Sequence, residues 1–268
     1  MTQDLIPKPH ELANKPLVEA IFELRWALES GELPGIQRDR GFRILFGRYY
    51  ERVRKEYPEV VDLPSSVIPE ELSAYVVRHQ FWTAKGVWPV TQIGPGVMTV
   101  NETAGYTWEG FRPRVMKAVE YLFASYPLDI ADLRPVRAEL QYIDALAFDP
   151  KQEDFFAYLE ESLHTRISID GNLFHDSVES KKPIGFNLRL AFPLSNPKGI
   201  GVFSFSEGTR DDKPAVIWNT IVRSFEEHTP CQPEEIEKWL GAAHEITDKW
   251  FFTLARGKLM SIFEGDHA

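Results

Sequence analysis

The stretch from Gln92 to Phe111 constrains the fold of this chain more than any other. It reads as a strand ending at Ile93, a Gly94-Pro95-Gly96 turn, a second strand at Val97 to Glu102 and the start of a helix, in immediate succession. Strands separated by so short a turn pair as a meander. Thr107 is a helix cap ahead of Phe111, Val115, Ala118, Val119 and Leu122, which keep helical spacing to about Tyr126, and Pro113 predicts that regular helix begins close to it.

The flanking segments extend this pattern. Val18, Ala20, Phe22, Leu24 and Trp26 alternate with Glu19, Glu23 and Arg25, with Ile21 as the exception, as in a half-buried strand. After a turn-rich stretch at Ser30 to Gly35, the residues Phe42, Leu45, Phe46, Tyr49, Tyr50 and Val53 fall on one helical stripe that ends before Pro58. Ser73 to Thr83 and Gly86 to Ile93 then read as strands.

A similar order recurs about a hundred residues later. Val136 to Tyr142 can be laid on Val18 to Leu24, and a short helix follows around Phe155, Phe156, Leu159 and Leu163. Strands are expected at Ile184 to Phe192 and Gly199 to Glu207. Val216 to Asn219 stands where Tyr106 to Trp108 stands in the first half, and a long helix starts near Pro233. The expected fold is α+β: an antiparallel sheet with helices packed on one face, as two pseudo-repeated halves, 1–127 and 128–268, in a saddle or helix-grip arrangement. The same element order also arises without duplication.

Composition bounds the function classes. With 268 residues, 43% of them hydrophobic and 13% aromatic, the chain has ample material for a core and no apolar run long enough to span a bilayer. The N-terminus lacks the pattern of a secretory signal, so the expected location is cytoplasmic. The single cysteine, Cys231, excludes an internal disulfide and a cysteine metal cage. A formal charge of -10 disfavours nucleic acid and anionic membranes as partners.

Searches for chemistry return little. His244 and Asp248 share a helical face but have no third ligand, so no metal site is assigned, and His175-Asp176 reads as a surface turn. There is no Gly-x-Ser-x-Gly elbow, and the glycine turns are too short to cradle a phosphate. No catalytic residue and no cofactor are assigned, and the reading leans away from an enzyme. On the first helix Arg43, Arg48, Arg52 and Lys55 offer a dock for an anionic partner, to be weighed against a solvated helix back paired with neighbouring acids. The tryptophans exceed what a core of this size needs. Trp108 and Trp218, together with His244, are the candidates for a ligand cleft between sheet and long helix, against the alternative that Tyr106, Trp108 and Phe111 simply pack.

Three motifs carry a resemblance: Pro16 to Trp26, then Gln92 to Asn101 with Tyr106-x-Trp108-x-x-Phe111, and His244-x6-Phe251-x6-Lys258-Leu259. Together they resemble a sporadically distributed family of uncharacterised bacterial proteins of about this length. The resemblance implies no activity, cofactor or catalytic residue. Patchy occurrence is typical of mobile defence or toxin-antitoxin genes, which implies a non-enzymatic accessory or neutralising protein that binds a protein partner. The alternative expectation is a small-molecule-binding or hydrolytic protein that uses the aromatic cleft.

Overall fold

The computed structural model describes residues 12–31, 35–103, 105–151, 153–174 and 183–265. His175-Asp176 and the centre of the Ser30 to Gly35 turn lie outside the described residues. In chain order the elements are strand Leu17–Trp26 (β1), the two-residue strands Glu29–Ser30 (β2) and Gln37–Arg38 (β3), and helix Phe42–Val53 (α1). Strands Glu59–Asp62 (β4), His79–Ala84 (β5), Val87–Gly94 (β6) and Val97–Glu102 (β7) and helix Trp108–Ser125 (α2) follow. Strand Pro135–Ala147 (β8), helix Phe155–Leu163 (α3) and strands Asn187–Ser195 (β9), Lys198–Arg210 (β10) and Lys213–Ser224 (β11) lead to helices Pro233–Ala255 (α4) and Lys258–Glu264 (α5).

Nine strands form one antiparallel sheet in the order β4-β5-β6-β7-β1-β8-β11-β10-β9, so the α+β architecture is as expected. The seam is the β1–β8 pair, where Leu24 faces Ala138, Phe22 faces Leu140 and Ala20 faces Tyr142. On either side the chain runs strand, helix, meander, helix. The main core crosses residue 127, because Phe22, Phe111 and Leu122 pack in one cluster with Leu140, Val222 and Leu240. A second cluster gathers Leu146, Phe155, Leu159, Phe205, Trp218 and Phe263 under α3 and α5.

Alternation decides which face the helices cover. Ala20, Phe22, Leu24 and Trp26 are fully buried beneath them. The opposite face satisfies its polar side chains across the strands: Gln80 donates to Gln92 (2.8 Å), Gln92 to Asn101 (3.0 Å), Asn101 to Glu19 (2.7 Å) and Arg137 to Glu23 (2.8 Å). Val18, expected to face inward, is 38% exposed, because the β1–β8 register shifts between Leu17 and Glu19 and turns the extra residue out.

Three boundaries differ from expectation. The strand expected from Ser73 begins only at His79, because the buried Arg78 side chain gathers the preceding loop by donating to the carbonyls of Ile68 (2.7 Å) and Ser66 and to the Ser73 hydroxyl (2.9 Å). Helix α2 starts at Trp108, not near Pro113. Thr107 accepts from the Gly110 N–H (3.1 Å), and this cap carries the helix through the proline at the cost of one backbone hydrogen bond. Val216 to Asn219 lies within β11, so its counterpart by position in the first half is β7 and not the start of α2.

One buried carboxylate ties four of these pieces together. Asp39, 4% exposed, accepts from Trp26 Nε1 (2.8 Å), the Gly41 N–H (3.0 Å), the Gly96 N–H (3.0 Å) and the Tyr126 hydroxyl (2.8 Å). Those donors belong to the end of β1, the start of α1, the β6–β7 turn and the end of α2. The turn can only be glycine at both places. A Cβ on Gly94 would lie 1.9 Å from the Val76 carbonyl oxygen, and Gly96 has φ +76° with the Tyr75 ring 2.8 Å from where its Cβ would be. Asp39→Ala leaves four donors unpaired, so we expect a loss of about 4 kcal/mol or more in urea unfolding, and a smaller loss for Asp39→Asn. A loss below about 1 kcal/mol in Asp39→Ala would show that the carboxylate is not the anchor described.

Candidate functional site

Two elements from the second half create a cavity between sheet and helix. Inward positions on β8 alternate as Ala138, Leu140, Tyr142, Asp144 and Leu146, so the last part of the strand places a phenol and a carboxylate where apolar groups would otherwise stand. On α4, whose first turn is closed by the Glu235 carboxylate accepting from the Cys231 N–H (2.9 Å), the residues His244, Thr247, Asp248, Phe251 and Phe252 recur at helical spacing on one side. These two surfaces face each other. Tyr106 to Glu109 at the start of α2 and Leu12 to Leu17 of the N-terminal segment supply the remaining walls of an open cavity of about 280 Å³.

The polar groups inside it form a chain. The Tyr106 and Tyr142 hydroxyls share a hydrogen bond of 2.7 Å, and Tyr142 hydrogen-bonds His244 Nδ1 at 3.1 Å. The His244 ring lies flat on Trp108, with centroids 3.8 Å apart and planes 15° apart. Lys15 donates to the Tyr106 carbonyl (3.0 Å), which fastens the N-terminal segment over the start of α2. Asn14 binds the Phe263 carbonyl through its backbone N–H (2.8 Å) and the Ile262 carbonyl through its side chain (3.0 Å), joining the same segment to α5.

Burial sets the charge states. It lowers the His244 pKa to about 4, so the imidazole is neutral at physiological pH. It raises the Asp144 carboxyl to about 7, an effect that the positive charge of Arg210 partly opposes, and it raises Asp248 above the usual carboxylate range. Both tyrosine hydroxyls are pushed up by the same burial. Asp144 is 3% exposed, and among the described residues its carboxylate has no hydrogen-bond donor and no ion pair within 4 Å.

Of the cleft candidates, Trp108 and His244 come together as walls of the cavity. Trp218 does not. It faces Asp144 across the β11–β8 ladder, but it is fully buried and α4 lays Phe251 over it, with ring centroids 5.4 Å apart and planes 9° apart, so Phe251 meets the cavity in its place. Phe111 packs in the core, whereas Tyr106 does line the cavity. The spacing of residues also left Tyr142, Asp144 and Phe252 unassigned. Asp144 carried a legible signal, a carboxylate on the inward side of an alternating strand.

Of the anionic-partner candidates, Arg43, Arg48 and Arg52 lie on the outer side of α1, and Lys55 lies in the turn that follows it. Arg43 pairs with Glu70 (2.9 Å) and Arg52 donates to the Ala124 carbonyl near the end of α2 (3.1 Å), while Arg48 and Lys55 are exposed. A second cavity, about 330 Å³, lies beside Tyr57 and Tyr121, and both cations on its wall are paired: Arg114 with Glu102 and Lys117 with Glu56, each at 2.6 Å. Among the described residues no group of three His, Cys, Asp or Glu side chains is placed to hold a metal ion, and no helix is long and apolar enough to cross a membrane.

No protein-family model and no curated protein matches this chain. The site therefore stands on its own geometry.

The charge states have a measurable consequence. Between about pH 4 and 7 the folded chain holds a proton on Asp144 that the unfolded chain has released, so this group costs stability as pH rises through that window. His244 acts in the opposite sense, because below about pH 6.5 the unfolded chain binds a proton that the folded chain refuses until about 4. Asp144→Asn keeps the shape of the neutral acid. We expect the stability gap between this variant and the natural protein to widen in favour of the variant by roughly 2–4 kcal/mol from about pH 4 to about pH 8. A gap independent of pH would mean that Asp144 is not desolvated.

Proposed function

We propose that this protein binds a small organic molecule in the cavity between β8 and α4. The observation that carries the reading is the wall itself: an indole stacked on a neutral imidazole, two hydrogen-bonded phenols and, among the described residues, a carboxylate without a donor, all facing an open cavity of about 280 Å³. Interiors normally close to the density of organic crystals, and polar groups in them are normally paired. A site lined mainly by aromatic groups with a few converging polar ones is what ligand pockets share. Binding is favoured over turnover, since among the described residues no serine, threonine or cysteine side chain hydrogen-bonds the His244 ring.

Ligand-observed NMR with a fragment library tests this. Fragments that bind the natural protein are expected to lose about tenfold or more in affinity in Trp108→Ala, and to keep their affinity in Lys117→Ala at the second cavity. Hits unaffected by Trp108→Ala and by Tyr142→Phe would place binding elsewhere and overturn the reading.

The expectation of a protein partner, as the accessory or neutralising member of a gene pair, has a different support. β9 is an edge of the sheet, and its Leu190 and Phe192 are 37% and 42% exposed. Among the described residues nothing pairs with its outer side, and an edge of this kind accepts an added strand from a partner chain. Leu190→Lys with Phe192→Lys is expected to abolish association with a protein encoded beside this one while leaving fragment binding intact. Undiminished association in that double variant would remove this second reading.

A further inference from the structure

We infer that the ligand of this cavity is a compact organic cation, an amine or protonated nitrogen heterocycle whose N–H hydrogen-bonds the Asp144 carboxylate while its carbon skeleton lies against Trp108 and Phe251. The inference rests on the reading of the cavity as a ligand site and adds the chemistry of the ligand.

Three features of the wall lead to it. Among the described residues the lining side chains are unbalanced: Glu109, Asp144 and Asp248 face one lining cation, Lys15, whose ammonium is engaged with the Tyr106 carbonyl, and His244 is neutral. Arg210, outside the wall, donates to the Pro16 and Ala145 carbonyls and only partly offsets Asp144. An anionic ligand would meet repulsion here and few donors, since the two phenols are committed to each other and to His244, and Thr107 caps the first turn of α2. Asp144 is the second feature. The residue is 3% exposed and, among the described residues, its carboxylate has no donor, a costly arrangement that one charged N–H at hydrogen-bond distance would relieve. The third is the ring set. Trp108, Tyr106, Tyr142, Phe251 and Phe252 line the cavity and hold an apolar skeleton by burial.

The open cavity of about 280 Å³ has room for a monoamine with one small ring.

The test compares three probes of one shape: 2-phenylethylammonium, 2-phenylethanol and phenylacetate. Each is titrated calorimetrically into the full chain at about pH 8, above the value to which burial raises Asp144. The ammonium is expected to bind about tenfold or more tighter than the alcohol, with no binding of phenylacetate. In Asp144→Asn the advantage of the ammonium over the alcohol should be lost. Thermal melting of Asp144→Asn confirms that it is folded, and Asp248→Asn serves as a second variant, expected to weaken the ammonium by a smaller factor. Equal binding of alcohol and ammonium, unaffected by Asp144→Asn, would overturn the cation inference and leave the cavity a ligand site. Preferential binding of phenylacetate would overturn it too, as would failure of the ammonium to bind while library fragments bind at Trp108. Loss of the Trp108-dependent fragments themselves would instead overturn the underlying reading.

Discussion

The carboxylate of Asp39 is the joint on which the first half of this molecule turns. A carboxylate offers about four acceptor positions, and here all four are taken by donors from separate elements. Burying such a charge without a cation is tolerable only because the donors are fixed N–H and O–H groups aimed at it. The consequence reaches the cavity. Tyr126 pins the end of α2 to Asp39, and α2 is a rod of 18 residues, about 27 Å long, whose other end carries Trp108 onto His244. The Gly94-Pro95-Gly96 turn is a part of this joint: its Gly96 N–H is one of the four donors.

The site itself is organised by a different economy, in which polar groups are placed where apolar ones would stabilise more. Asp144 occupies an inward position between Tyr142 and Leu146, and the sheet around it is otherwise closed by Phe205, Val216 and Trp218. His244 is kept uncharged by the same burial that raises the two aspartates, so the cavity holds one neutral base and two reluctant acids. The second cavity lacks this tension, because each of its cations has already found a carboxylate.

Much of the fold was legible because period-two and helical stripes survive in particular segments. β1, β8 and α4 each announce their buried side, and the glycine-proline turn announces the meander. Other features needed three dimensions. Val18 obeys the alternation of β1 but sits at a bulge that only its pairing with β8 creates. Pro113 argued for a later helix start, and the Thr107 cap overrode it. Val216 to Asn219 matched the position of Tyr106 to Trp108 by count, yet the strand it belongs to pairs with β8 and β10. Trp108 and His244 were legible as aromatic and polar groups near a helix, but their stacking was not, since they are 136 positions apart and meet only through packing. Trp218 failed as a cleft residue for the same reason: nothing in its own strand reveals that Phe251 covers it.

The N-terminal segment that walls the cavity is held by Asn14 to the carbonyls of Ile262 and Phe263, 248 residues away in the case of Ile262. That contact is long-range, so this wall of the cavity exists only once the sheet has brought α5 beside the N-terminal segment, and fraying of α5 would loosen Leu12 to Leu17 without unpairing the β1–β8 seam.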